Sequence, residues 1–291
     1  MIRHSRTELF EDARSTNNRA TRWTELADDP NDPRPLAHRE RTLREAWRPP
    51  IAERIEFLEG RCRGRVVLDI GCVAHSESRL QSDDWLHGRL ARVASRCLGV
   101  DILEEGVAAV VKAGYEAVVH DLTGDLTSLE SWAPFDVIVA GELIEHVTDL
   151  DMIFRVADEH LAPEGQLIVT TPNPYAPDRV RAGQRGLIWE NADHVSYLFP
   201  SGVAELAERR GLCLVEATTT ERQSRPAQSG LTWLKRTIRG SHWRNVGFDS
   251  VNDGRQVSVT EGLLDRLRGR LSRRDQRFLG ETFVYVVGRT T

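Results

Sequence analysis

A short apolar run that ends in an acid and a glycine constrains the fold more than any other part of this 291-residue chain. Residues 65–71 read Arg-Val-Val-Leu-Asp-Ile-Gly, and a second apolar run, residues 97–101, ends in an aspartate. Apolar runs of this length are typical of strands that are buried on both faces of a parallel sheet. A strand, a glycine turn, a helix and a strand ending in an acid form the layout of a site for a nucleotide-type cofactor.

The glycine content of this turn indicates which cofactor it suits. Gly71 is the one glycine where a dinucleotide motif needs three, and no phosphate-binding loop followed by Lys-Ser/Thr is present. Because a pyrophosphate needs a nest of backbone N–H groups, the turn favours a cofactor with ribose and adenine but no phosphate. S-adenosylmethionine is such a cofactor, and Asp101 would accept hydrogen bonds from its ribose hydroxyl groups. The alternative is a parallel strand pair that binds no ligand.

Composition excludes several classes of protein. Hydrophobic residues make up 40% and charged residues 29% of the chain, which is ordinary for a globular protein. The net charge of −5 argues against a general nucleic-acid binder, and no apolar run approaches the ~20 residues that span a bilayer. Residues 1–14 lack the apolar core of a secretory signal. Four singly scattered cysteines predict reduced thiols and a cytoplasmic protein.

The chain divides into four predicted parts. These are a polar leader (1–35), a core (36–220), a basic helical insertion (221–280) and a final strand (281–291). Predicted strands are 65–69, 97–101, 116–119, 135–140, 166–171, 212–216 and 282–287. Predicted helices are 84–95, 104–113, 143–161 and 201–210, after a helical stretch (36–59) that restarts at Pro49-Pro50. Alternating strands and helices predict an α/β fold with a mostly parallel sheet and helices on both faces.

Polar residues follow the predicted strands at corresponding positions. Asp69, Asp101, Asp121 and Glu142 each stand at or just after the end of a strand. Because ligands of such sheets bind beyond the carboxyl ends of the strands, these side chains are expected to lie in one row along the cofactor edge.

The order of motifs resembles that of the class I S-adenosylmethionine-dependent methyltransferases. The segments that carry the resemblance are Val67–Cys72, Leu98–Asp101, Asp121-Leu122, Phe135–Ile138 with Glu142–Val147, and Leu161–Val169. The resemblance covers roughly residues 60–220 and the last strand. It implies a Rossmann-like, doubly wound sheet of seven strands in which the last strand is antiparallel.

Carried over by position, the resemblance also implies a set of cofactor-binding residues. Asp69 and Gly71 would line the methionine part of the cofactor, Asp101 would hold the ribose, and Ile102 would pack on the adenine. Asp121 would accept a hydrogen bond from the adenine amino group. Leu122 beside it, and Gly141 at the end of the fourth strand, are assigned to the same site.

Two features depart from the family pattern. Val73 stands where the first motif has its second glycine, and the gap between Asp69 and Asp101 is 32 residues rather than about 20. Residues 74–84 form the extra loop. His75 and His87 are close enough in sequence to approach the site, but solvated surface histidines are the expectation for both.

The acceptor side is predicted from acids and histidines near the fourth strand. Glu142, Glu145 and His146 stand at i, i+3 and i+4 at the start of the predicted helix, so they would share one face. Further along, His194 precedes a helix entry with Ser201 as a plausible N-cap. Two carboxylates and two imidazoles could bind a divalent metal such as Mg²⁺, which would lower the pKa of an acceptor hydroxyl.

Other interpretations of these four residues stay open. His146, with Glu142 beside it, could instead act as a plain general base, or the residues could be structural. The arrangement is similar to that of metal-dependent small-RNA 2′-O-methyltransferases and of quinone-pathway O-methyltransferases, which also share the Thr171-Pro172-Asn173 turn. Related small-molecule and sugar enzymes carry a similar Glu-His-Val segment.

The predicted insertion suggests the acceptor. Residues 222–277 contain 13 Lys/Arg against 5 Asp/Glu, which suits an anionic substrate such as a phosphorylated or lipid-linked sugar. A solvated helical lid without a specific ligand is the alternative. The prediction is an O-methyltransferase acting on a small molecule or glycan, and the alternatives are an RNA 2′-O-methyltransferase and a catalytically inactive, cofactor-binding regulatory protein. The sequence does not indicate an oligomeric state.

Overall fold

The fold is a seven-stranded sheet with helices packed on both faces. The computed structural model of the chain describes residues 22–73, 80, 82–186, 191–220 and 280–289. The strands are β1 (Val66–Ile70), β2 (Arg96–Asp101), β3 (Glu116–Val119), β4 (Phe135–Gly141), β5 (Leu161–Pro172), β6 (Leu212–Thr219) and β7 (Thr282–Arg289). The helices are α1 (Pro33–Ala46), α2 (Arg54–Cys62), α3 (Leu86–Val93), α4 (Glu104–Lys112), α5 (Asp151–His160), α6 (Pro177–Gln184) and α7 (Pro200–Arg209).

The order of the strands confirms the predicted α/β fold. The order is β3-β2-β1-β4-β5-β7-β6, with β1 to β5 parallel and β7 antiparallel to both of its neighbours. The direction of winding reverses between β1 and β4, which is where such sheets open a crevice for ligands. Ile70 pairs with Ala140 in this strand pair, so Gly71 and Gly141 are neighbours at the carboxyl edge.

Alternate residues of the central strands supply two separate cores. On β4, Ile138 and Ala140 pack with α1, α5 and α7, whereas Val137 and Val139 pack with α2 and α3. All four side chains are buried, as the continuous apolar runs predicted. Because both faces are covered, the carboxyl edge is left to position polar side chains.

The predicted helix 143–161 is wrong over its first eight residues, 143–150. Helix α5 begins at Asp151, and Glu142 to Leu150 form a loop with turns. Glu142 has φ +54°, a left-handed conformation that breaks a helix, and its N–H donates to the carbonyl of Thr170 on β5. The carboxylate of Asp149 accepts hydrogen bonds from the N–H groups of Asp151 and Met152, which starts the helix there. Glu142, Glu145 and His146 therefore do not share a helical face.

Other differences are local. Helix α7 begins at Pro200 after Phe199, so Ser201 lies inside the helix and is not its N-cap. Helix α1 begins inside the predicted leader, where Asp32 accepts a hydrogen bond from the N–H of Arg34, and α6 was not predicted. Residues 1–21 of the leader and nearly all of the predicted insertion lie outside the described residues. In the described part of the chain, no helix is long and apolar enough to cross a membrane.

Candidate active site

Asp101 ties together the two turns that form the cofactor edge. Its Oδ2 accepts a hydrogen bond from the N–H of Val73 (3.0 Å), and its Oδ1 accepts one from the N–H of Leu103 (3.2 Å). Each carboxylate oxygen can accept a second hydrogen bond, so a ribose can still be bound. Ile102 beside it is 66% exposed, which leaves its side chain open for a flat ring to pack on.

Val73 is accommodated by a glycine on helix α4. A Cβ on Gly106 would overlap Cγ1 of Val73, so the valine side chain occupies the space that the glycine leaves. The loss of the usual second glycine is therefore matched by a small residue 33 positions later, and the hydrogen bond from Val73 to Asp101 is kept. The turn itself needs Gly71, which has φ +79°.

His87 is not the surface residue that the sequence suggested. Its imidazole is fully buried, and Nδ1 lies 3.0 Å from Oδ2 of Asp69, which is itself 1% exposed. The extra loop is described only at residues 80 and 82–84, so His75 lies outside the described residues.

Arg54 reaches the site from the first turn of α2 and was not predicted from the sequence. Its Nη1 donates to Oγ1 of Thr170 at 3.4 Å and would lie 3.4 Å from a Cβ on Gly141. The charge of its guanidinium also acts on the carboxyl of Glu145 and lowers the pKa of that group. A half-buried positive charge therefore stands next to Gly71 and Gly141, the two glycines at the centre of the edge.

At the other end of the edge, Asp121 caps a turn. Its Oδ1 accepts hydrogen bonds from the N–H (2.9 Å) and the hydroxyl (2.7 Å) of Thr123, and these bonds lower the pKa of the exposed Asp121 carboxyl. The side chain of Leu122 is buried in the core, and its carbonyl accepts from Arg155. Any contact of Leu122 with adenine would therefore come from its backbone.

The predicted acceptor-side residues come together, except for Glu142. Candidate ligand atoms of Glu145, His146 and His194 lie within 4.8 Å of one another, and the rings of the two histidines are 4.6 Å apart, edge to face. Asp193, which sequence reasoning gave no role, has its Oδ2 3.1 Å from Nδ1 of His146. Glu142 lies outside this group, and its buried Oε1 has no hydrogen-bond partner among the described residues.

Backbone and side-chain hydrogen bonds hold the two segments of this cluster together. The N–H of Val195 donates to the carbonyl of Glu145 (2.8 Å), and the hydroxyl of Ser196 donates to the carbonyl of Ile144 (3.4 Å). Glu145 is 1% exposed, and its Oε2 accepts a hydrogen bond from the hydroxyl of Thr171 on β5 (3.0 Å). His194 therefore meets Glu145 through two loops that lie far apart in sequence.

Burial, and after it the negative charge of Glu142, raise the pKa of Glu145 from 4.5 to about 7. The hydrogen bond from Thr171 and the charge of Arg54 act in the opposite direction. The carboxyl of Glu145 is therefore able to exchange a proton near neutral pH.

The raised pKa of Glu145 predicts that the stability of the protein depends on pH. Because this carboxyl has a pKa of 4.5 in the unfolded chain and about 7 in the folded protein, the free energy of unfolding should fall as pH rises from 4.5 through 7. The loss is about 3 kcal/mol at most. Glu145→Gln keeps an acceptor for Thr171 but cannot ionise, so its stability relative to the wild type should increase over this range. Urea unfolding at pH 5 and pH 8 measures the difference, with the exposed Glu164→Gln as control; equal pH profiles of Glu145→Gln and the wild type would contradict it.

The fold and the cofactor edge define a class I S-adenosylmethionine-dependent methyltransferase. The model of a family described as a methyltransferase domain matches residues 38–217, more than half of the chain, and the chain belongs to that family. This confirms the predicted enzyme class and its dependence on S-adenosylmethionine.

Several relatives with curated names are O-methyltransferases. The ubiquinone biosynthesis O-methyltransferase of Albidiferax ferrireducens is 27% identical over 185 residues, which cover 60% of this chain and 67% of that protein. That of Leptothrix cholodnii is 26% identical, with 64% and 74% covered. The human mitochondrial protein of the same name is 26% identical, with 51% of this chain and 42% of that protein covered. Among solved structures, an S-adenosylmethionine-dependent methyltransferase from Archaeoglobus fulgidus matches with a TM-score of 0.47 and 15% identity, covering 80% of this chain and 94% of that chain.

Proposed function

We propose that this methyltransferase transfers a methyl group to a hydroxyl oxygen of a small-molecule acceptor, with glycans as one class to be tested. The observation that carries the proposal is the pairing of His146 with Asp193 beside the buried Glu145, just past the carboxyl end of β4. An oxygen acceptor needs a group that removes its proton, whereas the cofactor edge alone does not supply one. The names of the relatives favour a small molecule over RNA.

In this proposal the cofactor lies along the row of predicted residues. Asp101 binds the ribose, Ile102 packs on adenine, and Asp121 with the Leu122 backbone lies at the adenine end. Asp69, Gly71 and Gly141 line the methionine end. Arg54 supports this orientation, because the cofactor carries a carboxylate at that end and the guanidinium lies beside Gly141, bonded to the neutral hydroxyl of Thr170. Its charge also acts on the nearby carboxyl of Glu145.

His146 acts as the general base. Asp193 favours the tautomer with the proton on Nδ1, which leaves a lone pair on Nε2. As the acceptor oxygen attacks the methyl carbon, the O–C bond forms, the C–S bond breaks, and the hydroxyl proton passes to Nε2. The products are the methyl ether and S-adenosylhomocysteine. Because the transfer is an in-line displacement, the main task of the remaining residues is to position the two substrates.

A divalent metal is the second candidate for activating the hydroxyl. Glu145, His146 and His194 offer one carboxylate and two imidazoles within reach of a single ion. Such a donor set fits a transition metal or Zn²⁺ better than the predicted Mg²⁺, which prefers oxygen ligands, and the predicted fourth ligand, Glu142, lies outside the group. When bound, an ion would lower the pKa of the acceptor hydroxyl.

Three further predictions from the sequence also remain proposals. Oε1 of Glu142 is buried without a hydrogen-bond partner among the described residues, which supports a contact with a ligand, since a buried carboxylate oxygen without a hydrogen bond is costly. The free thiols of Cys62, Cys72, Cys97 and Cys213 support a cytoplasmic location. An anionic acceptor rests on residues 222–277, which lie outside the described residues.

The proposal is tested first at the cofactor. Calorimetric titration should show that S-adenosylhomocysteine binds the wild type. Asp101→Asn should bind it about 10- to 100-fold more weakly, because the ribose loses a charged acceptor. Glu104→Gln, at the exposed start of helix α4, is the control. Absence of binding at millimolar ligand would overturn the cofactor assignment. Methyl transfer is then assayed against hydroxylated aromatic compounds and sugars, and transfer to nitrogen alone would overturn the O-methyl assignment.

A further inference from the structure

The buried contact between Asp69 and His87 connects the cofactor edge to helix α3. Oδ2 of Asp69 lies 3.0 Å from Nδ1 of His87, and neither residue is accessible to solvent. A carboxylate buried without a donor is costly. The imidazole N–H supplies a donor to Asp69 and holds the carboxylate in one orientation.

The residues around His87 restrict the orientation of its ring. Its ring packs against Trp85 (ring centroids 5.5 Å apart) and Tyr115 (5.8 Å), and its Cε1 would lie 2.9 Å from a Cβ on Gly99. Among the described residues, Nε2 has no hydrogen-bond partner. Nδ1 also lies 4.0 Å from Sγ of Cys97, but its shorter contact is with the Asp69 carboxylate. The aromatic rings and the Gly99 backbone that surround the imidazole restrict its rotation away from Asp69.

Trp85 extends the same connection to the turn after β1. Its Nε1 donates to the carbonyl of Cys72 (3.1 Å), so the residues just before and at the start of α3 contact both the strand end and the glycine turn. The sequence placed His87 near the site but predicted a solvated surface histidine, and it did not indicate the contacts of His87 with Asp69 or of Trp85 with Cys72.

We infer that His87 is a positioning residue for the cofactor, which orients the Asp69 carboxylate toward the ammonium group of the S-adenosylmethionine tail. The inference rests on the proposed placement of Asp69 at the methionine end. The ammonium is the one cationic group of that tail besides the sulfonium, and a pre-oriented carboxylate binds it without reorganising. His87 does not touch the cofactor and acts through Asp69.

The test compares two ligands and two substitutions. S-adenosylhomocysteine carries the amino-acid tail, whereas 5′-methylthioadenosine keeps the adenine, ribose and sulfur but lacks it. His87→Leu removes the donor, and His87→Asn restores one, because the Asn amide nitrogen occupies the place of Nδ1. By calorimetry, His87→Leu should weaken S-adenosylhomocysteine about 5- to 30-fold and leave 5′-methylthioadenosine within about 2-fold. His87→Asn should recover most of the loss.

The same substitution of His87 is also measured in a protein that lacks the Asp69 carboxylate. In Asp69→Leu, the His87→Leu substitution should have no further effect on the affinity ratio of the two ligands, because its partner is absent. Equal weakening of both ligands by His87→Leu, or the same ratio change in both Asp69 backgrounds, would overturn the inference and leave a packing role. If His87→Leu does not fold, the ring-preserving His87→Phe is measured in its place. Failure of the wild type to bind S-adenosylhomocysteine would instead overturn the cofactor assignment itself.

Discussion

His146→Ala is expected to lower kcat by about 10²- to 10⁴-fold, the usual contribution of general-base catalysis. Its affinity for S-adenosylhomocysteine should stay within about 2-fold, since the imidazole is placed on the acceptor side of the cofactor edge. Asp193→Asn should give a smaller loss, because it weakens the orientation of the ring but leaves the base in place. Initial rates and calorimetry on the same protein samples separate the two effects.

Chelation distinguishes the base from a metal ligand. If His146 acts as the base, the wild type keeps its activity in the presence of a chelator, and His146→Ala is inactive with or without added ions. If Glu145, His146 and His194 hold an ion, the chelated wild type loses activity and regains it on addition of Zn²⁺ or Mn²⁺. His38→Ala, on α1 beside Glu208, is a matched control. Full activity of His146→Ala in both conditions would contradict both catalytic roles.

The fold could be predicted from local sequence patterns, because each central strand is an apolar run that ends in polar residues. The apolar runs of β1, β2 and β4 end in polar residues at the same edge, and the parallel order of the sheet follows from the alternation with helices. The start of α5 did not follow, although Glu142, Glu145 and His146 have helical spacing. There a tertiary contact, the hydrogen bond from Glu142 to Thr170 on β5, overrides the local pattern.

The predicted cofactor row rests on the same strand-end signals, whereas the residues that pack around it were not predicted. Arg54 meets Thr170 across 116 positions, and Gly106 makes room for Val73 across 33. Neither pair has a spacing or composition that a single sequence reveals. Asp193 could have been found from the sequence. It adjoins His194, which was already grouped with His146, and a nearby acid commonly orients the ring of a histidine that acts as a base.

Arg54→Met is expected to weaken S-adenosylhomocysteine by about 30- to 1,000-fold, because it leaves the carboxylate of the ligand without a cationic partner in a half-buried site. The decarboxylated analogue of S-adenosylhomocysteine keeps the amine and lacks that carboxylate, so its affinity should change little. Arg54→Lys should be intermediate, since an ammonium keeps the charge but not the bidentate geometry. Calorimetric titration of the three proteins with both ligands gives the affinity ratios.

The control for this prediction lies on the same helix. Arg61 is also on α2, but it bonds Glu216 and Gln166, away from the two glycines of the edge. Arg61→Met should therefore leave the affinity ratio unchanged even if it lowers stability. If Arg54→Met weakens both ligands equally, the arginine supports the strand ends through Thr170 rather than binding the carboxylate. If it weakens neither ligand but lowers kcat/KM for an anionic acceptor, its charge serves the acceptor instead, and the cofactor tail must be bound by other residues of the edge.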